Sequence, residues 1–170
     1  MIERTVRFER VILVSVSTVL LSAVVILQYH YAGKTGFPRL FGNRDIAIFD
    51  LWSFWHMCGG ILLASSLSGR LRKYPFVLLN VVIWVAFLWE ITEILMEAGY
   101  FGTGIVHWKG GFEHWANRMI GDPLLSVIGA KIAMRQKNIW RIVFIPTLIW
   151  LACNYLSPNS MYIQHLIFGY

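Results

Sequence analysis

The sequence predicts an all-α protein, a polytopic membrane helical bundle of about five transmembrane helices, and three observations carry that prediction. Of 170 residues, 57% are hydrophobic, 15% aromatic and only 14% charged, with a mean hydropathy of +0.59, whereas a water-soluble domain carries roughly 25% charged residues. The apolar residues fall into runs long enough to cross a bilayer, separated by short polar stretches. The basic residues, 15 Lys+Arg against 9 Asp+Glu for a net charge of +6, cluster at the ends of those runs. There they read as topology signals, and not as a nucleic-acid surface. The chain is too short for two domains, so residues 1–170 form a single integral membrane domain.

The first run, 10–29, follows a charged start that resembles a signal peptide, but it outlasts the roughly 7–15 residue core of a cleaved signal and no A-x-A site follows. It is expected to remain as a first helix. The next runs are 46–68, 75–98, 119–135 and 139–156. The fourth is short and opens on Asp122-Pro123, so it is expected to enter the bilayer partway down. Residues 161–170 are too few to span and are expected to lie along the interface. Between the third and fourth runs, 99–118 interleaves five glycines with Tyr, Phe and Trp, the composition of an interfacial or re-entrant element or of an aromatic belt. Cys58 and Cys153 lie inside apolar runs, with no CxxC spacing and no disulfide framework.

Orientation follows from charge. With a cytoplasmic N-terminus, the inner ends carry Arg4, Arg7, Arg10, Arg70, Arg72, Lys73, Lys131, Arg135, Lys137 and Arg141, and the outer ends keep Lys34, Arg39, Arg44, Lys109 and Arg118. That balance favours N-in and C-out.

A charge in the bilayer core costs at least about 2.5–3.5 kcal/mol, so each one there needs a partner or a purpose. Asp50 and His56 lie in the second run, and Asp122 opens the fourth. Glu90, Glu93 and Glu97 stand at i, i+3 and i+7 of the third, within about 60° on one helical face. Under the N-in topology all of them fall in the outer half of the membrane, a convergent polar cluster, while Asn80 is the main polar intrusion in the inner half. Gly59, Gly60, Ser126 and Gly129 are small residues that would let helices approach closely around it. Plainer readings stand beside this one. Asp122 before Pro123 fits a capped helix start, Glu97 and Asp50 are near enough to the interface for solvation to explain them, and His56 fits an interhelical hydrogen-bond donor. Glu90, about two turns below the outer helix end, resists such an explanation.

These residues resemble the VanZ-like small membrane proteins and the wider lipocone superfamily. That family has a four-helix core with an Asp and a His near its first helix, E-x-x-Q on the next, and an Arg before D-x-x-x-N-x-x-G on the last. The matching positions are Asp50 and His56, then Glu90 to Glu93, then Arg118 with Asp122, Ser126 and Gly129, over about residues 45–134. Glu93 stands where the family has Gln, Ser126 where it has Asn, and the Asp-to-His spacing is longer. The resemblance implies a polar pocket facing the outer leaflet of a bacterial inner (plasma) membrane. There it would act on lipid headgroups or polyprenyl-linked substrates by phosphoester hydrolysis or headgroup exchange.

The residues suit that chemistry. A phosphoester needs a nucleophile or activated water, an acid for the leaving oxygen and positive charge on the phosphate. His56 is the expected nucleophile or base, Glu90 or Asp122 its orienting or acidic partner, with Glu93 and His114 completing the catalytic set. Arg118 and Lys109 are expected to hold the phosphate, with Asp50, Asn117 and Ser126 lining the substrate side. His56, His114, Glu90, Glu93 and Asp122 also offer ligands for Zn²⁺ or Mn²⁺, without an H-E-x-x-H spacing. Two other classes compete. Intramembrane acids and a histidine also suit a small transporter or proton pathway, and a Trp-rich surface suits a non-catalytic accessory subunit. The expected partner is membrane lipid and not nucleic acid, and the composition leaves open a homo-oligomer or a membrane-protein partner.

Overall fold

The computed structural model describes residues 2–33, 36–71 and 73–156, the side chains of 2–9 and 154 excepted. The expected interfacial segment 161–170 lies outside the described residues, as do Lys34 and Arg72 of the charge count. The chain is mostly helical. Helix α1 (Ile2–Tyr31) leads to two short strands, β1 (Arg39–Phe41) and β2 (Ala47–Phe49), then α2 (Leu51–Leu71), α3 (Pro75–Glu97), the short α4 (Thr103–Lys109), a π-helical turn (Asn117–Gly121), α5 (Asp122–Arg135) and α6 (Ile139–Leu156).

The runs at 75–98 and 139–156 match α3 and α6 to within a residue. The second run departs from expectation at its start. Residues 47–49 pair in parallel with 39–41, Arg39 against Ala47 and Phe41 against Phe49, and the helix begins only at Leu51. The reason is local. Asp50 Oδ1 accepts from the Ser53 backbone N–H at 2.8 Å, and the Asp50 N–H donates to Ser53 Oγ at 3.2 Å. This reciprocal cap sets the helix start after Asp50.

Two helical stretches, Arg10–Tyr31 and Pro75–Glu97, are long and apolar enough to cross a membrane, and Ile139–Cys153 is a shorter apolar stretch. The 14 residues of α5 extend only about 21 Å at about 1.5 Å each, against a hydrocarbon core of about 30 Å. Helix α2 is long enough but carries His56, three glycines and four serines within its 21 residues, which lowers its mean hydropathy. Large apolar side chains stay exposed around the outside, among them Val19 and Ile26 on α1, Leu88 on α3 and Ile142, Ile145 and Ile149 on α6.

Two apolar clusters fill the interior. Ile61, Ala64, Leu78, Val82, Ala130 and Ala133 join α2, α3 and α5, and Val24, Phe87 and Ile94 join α1 to α3. Toward the middle of the α1–α3 seam, Ser17 Oγ donates to Asn80 Oδ1 at 3.2 Å and Trp84 Nε1 donates to Ser17 Oγ at 2.9 Å, so Asn80 acts as interhelical glue.

Helices α2 and α5 lie backbone against backbone. A Cβ added to Gly60 would fall on the Ser126 carbonyl, and one added to Gly129 on the Met57 carbonyl. The small residues expected to bring helices close around the polar site do so at these two positions, whereas Gly59 has nothing within 4 Å of its Cβ position. Because both obstructing atoms are backbone, Gly60→Ala and Gly129→Ala should each destabilise the fold by about 1–3 kcal/mol, read from thermal unfolding in detergent. Gly59→Ala should leave the melting temperature unchanged or slightly higher.

Candidate functional site

One end of the bundle collects a buried network of charge. The C-terminal part of α3 brings Glu90, Glu93 and Glu97, all buried, as their shared helical face requires. The start of α2 brings His56, and the helix leading into α5 brings Asn117, Arg118 and Asp122, none of which reaches solvent. The loop 99–118 folds over this end. Its glycines Gly99, Gly102, Gly110 and Gly111 take positive φ, which lets the chain turn into and out of α4 and delivers Lys109 and Glu113 to the network.

Asp122 is not a helix cap. Helical structure begins at Trp115 and runs through the π turn into α5, and no side-chain cap bond is made at the α5 start. Pro123 has no N–H for the ladder and its ring crowds the carbonyl of Met119, a strain that the wider π turn relieves. The extra residue turns Asn117, Arg118, Gly121 and Asp122 onto one buried face. Gly121 makes room for it, since a Cβ there would strike the Ile48 carbonyl of β2.

Arg118 is the hub. Its Nη2 donates to Glu97 Oε2 at 2.8 Å and to Glu113 Oε2 at 3.2 Å, its Nε to Glu90 Oε2 at 3.3 Å, and its Nη1 to Gln28 Oε1 at 2.5 Å. Gln28 Nε2 donates in turn to the Glu113 carbonyl at 2.9 Å. Arg44 pairs with the other oxygen of Glu97, reaches Glu113 at 3.8 Å, and donates to the carbonyls of Lys109 and Gly111. Lys109 Nζ meets Glu93 Oε1 at 2.5 Å and lies over the Trp52 and Trp108 rings at 5.3 and 5.7 Å.

His56 stands apart from these cations. Its Nε2 is 3.2 Å from Asp122 Oδ2 and 3.6 Å from Glu90 Oε1, and its backbone carbonyl accepts from Ser126 Oγ at 3.3 Å. With its amide nitrogen turned to the acids, Asn117 donates to Glu113 Oε1 at 3.0 Å and to both oxygens of Asp122 at 2.8 and 2.9 Å. The other face of His56 belongs to an apolar groove of about 360 Å³, walled by Trp55, Leu63, Val85, Trp89 and Leu151, with Gly59 and Ser126 at its floor.

The structure therefore gathers His56, Glu90, Glu93, Lys109, Asn117, Arg118, Asp122 and Ser126, and revises several expected roles. Asp50 is buried and spends one carboxylate oxygen capping α2. Glu97 is buried between two arginines and not solvated. Arg118 and Lys109, expected to hold a phosphate, are buried against carboxylates and present no open face to an anion. His114 is separate: Nδ1 accepts from the Ala116 N–H and Nε2 faces the Gly36 carbonyl at 3.0 Å, so both ring nitrogens are engaged by backbone. Sequence reasoning missed Arg44, counted only as an outer topology charge, along with Gln28 and Glu113 as members of the network. Gln28 carried one signal, an amide at the close of an otherwise apolar run.

No family model, no curated protein and no solved structure matches the chain.

Removing a hub that compensates several buried acids leaves them unpaired, so Arg118→Met should cost about 3–5 kcal/mol, and Gln28→Ala about 1–3 kcal/mol, by unfolding in detergent. Burial pushes the Glu113 carboxyl up to about 8, against the pull of Arg44 and Arg118. A carboxyl whose folded pKa is raised keeps its proton after the unfolded chain has lost it. Stability should accordingly fall as pH rises between about 4.5 and 8, by at most about 1.4 kcal/mol per unit. Glu113→Gln, which mimics the protonated form, should flatten that slope.

Proposed function

We propose that the protein is an integral membrane enzyme that acts on the headgroup of a membrane lipid or polyprenyl-linked substrate, by phosphoester hydrolysis or headgroup exchange. One observation supports the reading above the rest: His56 forms part of the wall between the buried acids and the apolar groove. A substrate that is hydrocarbon at one end and polar at the other fits that junction, with its chain along Trp55, Val85 and Trp89 and its headgroup bond against the imidazole. The groove volume falls within the roughly 300–1,000 Å³ of ligand sites, and its rim residues Val85 and Trp89 are 45% and 41% exposed, so a lipid would enter sideways from the bilayer.

In this reading His56 is the nucleophile or general base. Asp122, 3.2 Å from Nε2, orients the ring or returns the proton to the leaving oxygen. Glu90 is held in place by Arg118 through its second oxygen. The bundle lies in a bacterial inner membrane with a cytoplasmic N-terminus, which sets the site in the outer leaflet, and its four-helix core is of the VanZ-like kind. A proton pathway is less favoured, because Ile83 and Phe87 of α3 pack into the apolar core between Asn80 and Glu90.

The test is purified protein in vesicles of phosphatidylethanolamine and phosphatidylglycerol doped with polyprenyl diphosphate, with released phosphate or headgroup followed by mass spectrometry. Turnover should fall at least about 100-fold in His56→Ala and persist in Asn80→Ala. Gly59→Leu, which fills the groove without touching the acids, should raise KM more than it lowers kcat. Equal rates for wild type and His56→Ala at equal folded protein would refute the proposal.

A further inference from the structure

We propose that His56 Nε2, Glu90 Oε1 and Asp122 Oδ2 bind a divalent cation of the Zn²⁺ or Mn²⁺ kind. The three donors come from α2, α3 and α5, all three residues are buried, and the atoms lie within 4.8 Å of one another. Their spacing suits a single ion. Tetrahedral bonds of about 2.0–2.1 Å set ligand atoms about 3.3–3.4 Å apart, and Nε2 is 3.2 Å from Asp122 Oδ2 and 3.6 Å from Glu90 Oε1. The longer separation exceeds that of a hydrogen bond, and Glu90 Oε1, on a fully buried side chain, has no hydrogen-bond partner. A buried carboxylate oxygen without a donor is costly unless something cationic meets it.

Charge points the same way. Among the described residues, six buried carboxyls (Asp50, Glu90, Glu93, Glu97, Glu113 and Asp122) face three buried cations (Arg44, Lys109 and Arg118), and setting aside Glu113, which holds its proton to about pH 8, still leaves the acids in excess. The cations crowd the α4 side of the network. Glu90, Glu93 and Glu113 also approach one another closely enough to share an ion. There, however, Lys109 Nζ already sits on Glu93 Oε1 at 2.5 Å and Arg118 reaches both Glu90 and Glu113, so two cations serve that group. Beside His56, among the described residues, only Arg118 pairs with an acid, through the far oxygen of Glu90. On the other side the only ion-pair contact of Asp122 among the described residues is His56.

The donors are also braced as metal ligands usually are. Arg118 Nε takes the second oxygen of Glu90, and the Asn117 amide takes both oxygens of Asp122. One imidazole and two carboxylates form a hard, oxygen-rich set suited to Mn²⁺ or Zn²⁺. Three protein ligands leave a coordination position for water, the pattern of catalytic sites. Because His56 also lines the groove, an ion held there would lie near an entering headgroup and would supply a bound water and the positive charge that Arg118 and Lys109, occupied by carboxylates, do not offer. His56 and Asp122 would then serve as its ligands in place of the nucleophile, base and acid roles of the ion-free reading.

The experiment needs no lipid, so its failure leaves the lipid reading standing, and absent turnover leaves the ion site standing. Detergent-purified protein is stripped with chelator, titrated with MnCl₂ under electron paramagnetic resonance, and its zinc content measured after dialysis against ZnCl₂. Wild type should take up one equivalent. His56→Ala, Glu90→Gln and Asp122→Asn should each bind about tenfold more weakly or worse, and His107→Ala, at an exposed histidine, should bind as wild type does. Should Glu90→Gln fail to fold through its tie to Arg118, Asp122→Asn carries the comparison. Should every ligand variant fail, Co²⁺ on the wild type decides, with d–d bands of nitrogen and oxygen ligation expected. No uptake by wild type, unchanged binding in folded His56→Ala and Asp122→Asn, or a thiolate charge-transfer band would overturn the proposal.

Discussion

A single buried guanidinium organises this end of the molecule. Arg118 is in contact with Gln28 from α1, Glu90 and Glu97 from α3, and Glu113 from the loop beyond α4, so its position couples elements far apart in sequence. A guanidinium suits that role, because its five donors lie in a fixed plane and it stays charged at any relevant pH. A lysine would offer the charge but not the fork. The cost is that every acid drawn to Arg118 must itself be desolvated, which is offset only by completed hydrogen bonding. Where completion fails, as at Glu90 Oε1, the failure marks a place suited to chemistry rather than to stability.

The network is divided. On the α4 side each acid is matched by Arg44, Lys109 or Arg118, and the matching is tight enough to hold the loop 99–118 down on the bundle. On the groove side Asp122 and one oxygen of Glu90 face the His56 ring, and Asp122 also the Asn117 amide. The matched half is structural by its own geometry, since its cations are occupied. The unmatched half holds the carboxylate oxygen without a hydrogen-bond partner and borders the apolar groove through His56. Close packing of α2 on α5 through Gly60 and Gly129 keeps His56 and Asp122 within 3.2 Å; a larger residue at either seam would part them before it disturbed any charge.

The helical class and the third and last helices were legible in the sequence because long apolar runs have one cheap solution, and Glu90, Glu93 and Glu97 shared a face because helical periodicity leaves no choice. Convergence of His56 with Glu90 and Asp122 was legible from depth alone. What escaped detection depended on the third dimension. Arg44 in a polar stretch looks the same whether it meets water or folds back onto Glu97. Asp122 before Pro123 reads as a cap unless the helix is known to have begun already at Trp115 and passed through a π turn. The parallel pairing of 39–41 with 47–49 joins segments too short to carry a periodic signal. The number of spans is not set by composition: two described helical stretches are long and apolar enough to cross a membrane, α5 combines large apolar residues with the small Ser126, Gly129, Ala130 and Ala133 buried in the bundle, and composition does not distinguish packing against protein from packing against lipid.

On the proposed lipid reading, the position of His56 between the buried acids and the apolar groove would constrain a substrate more than the identity of the acids does. A molecule entirely polar would gain nothing from the walls of Trp55, Val85 and Trp89, and one entirely apolar would leave the imidazole and its carboxylates unanswered. A bond at the junction of a tail and a headgroup satisfies both, and its distance from the end of the tail is unrestricted because the groove opens sideways between exposed Val85 and Trp89. Selectivity in such a site would come from the headgroup. Only the groups around Nε2 offer directional contacts, while the apolar wall discriminates chains by little more than about 1–3 kcal/mol per methylene. Tolerance of tail length together with strictness at the polar end is therefore the substrate behaviour that this arrangement of residues favours.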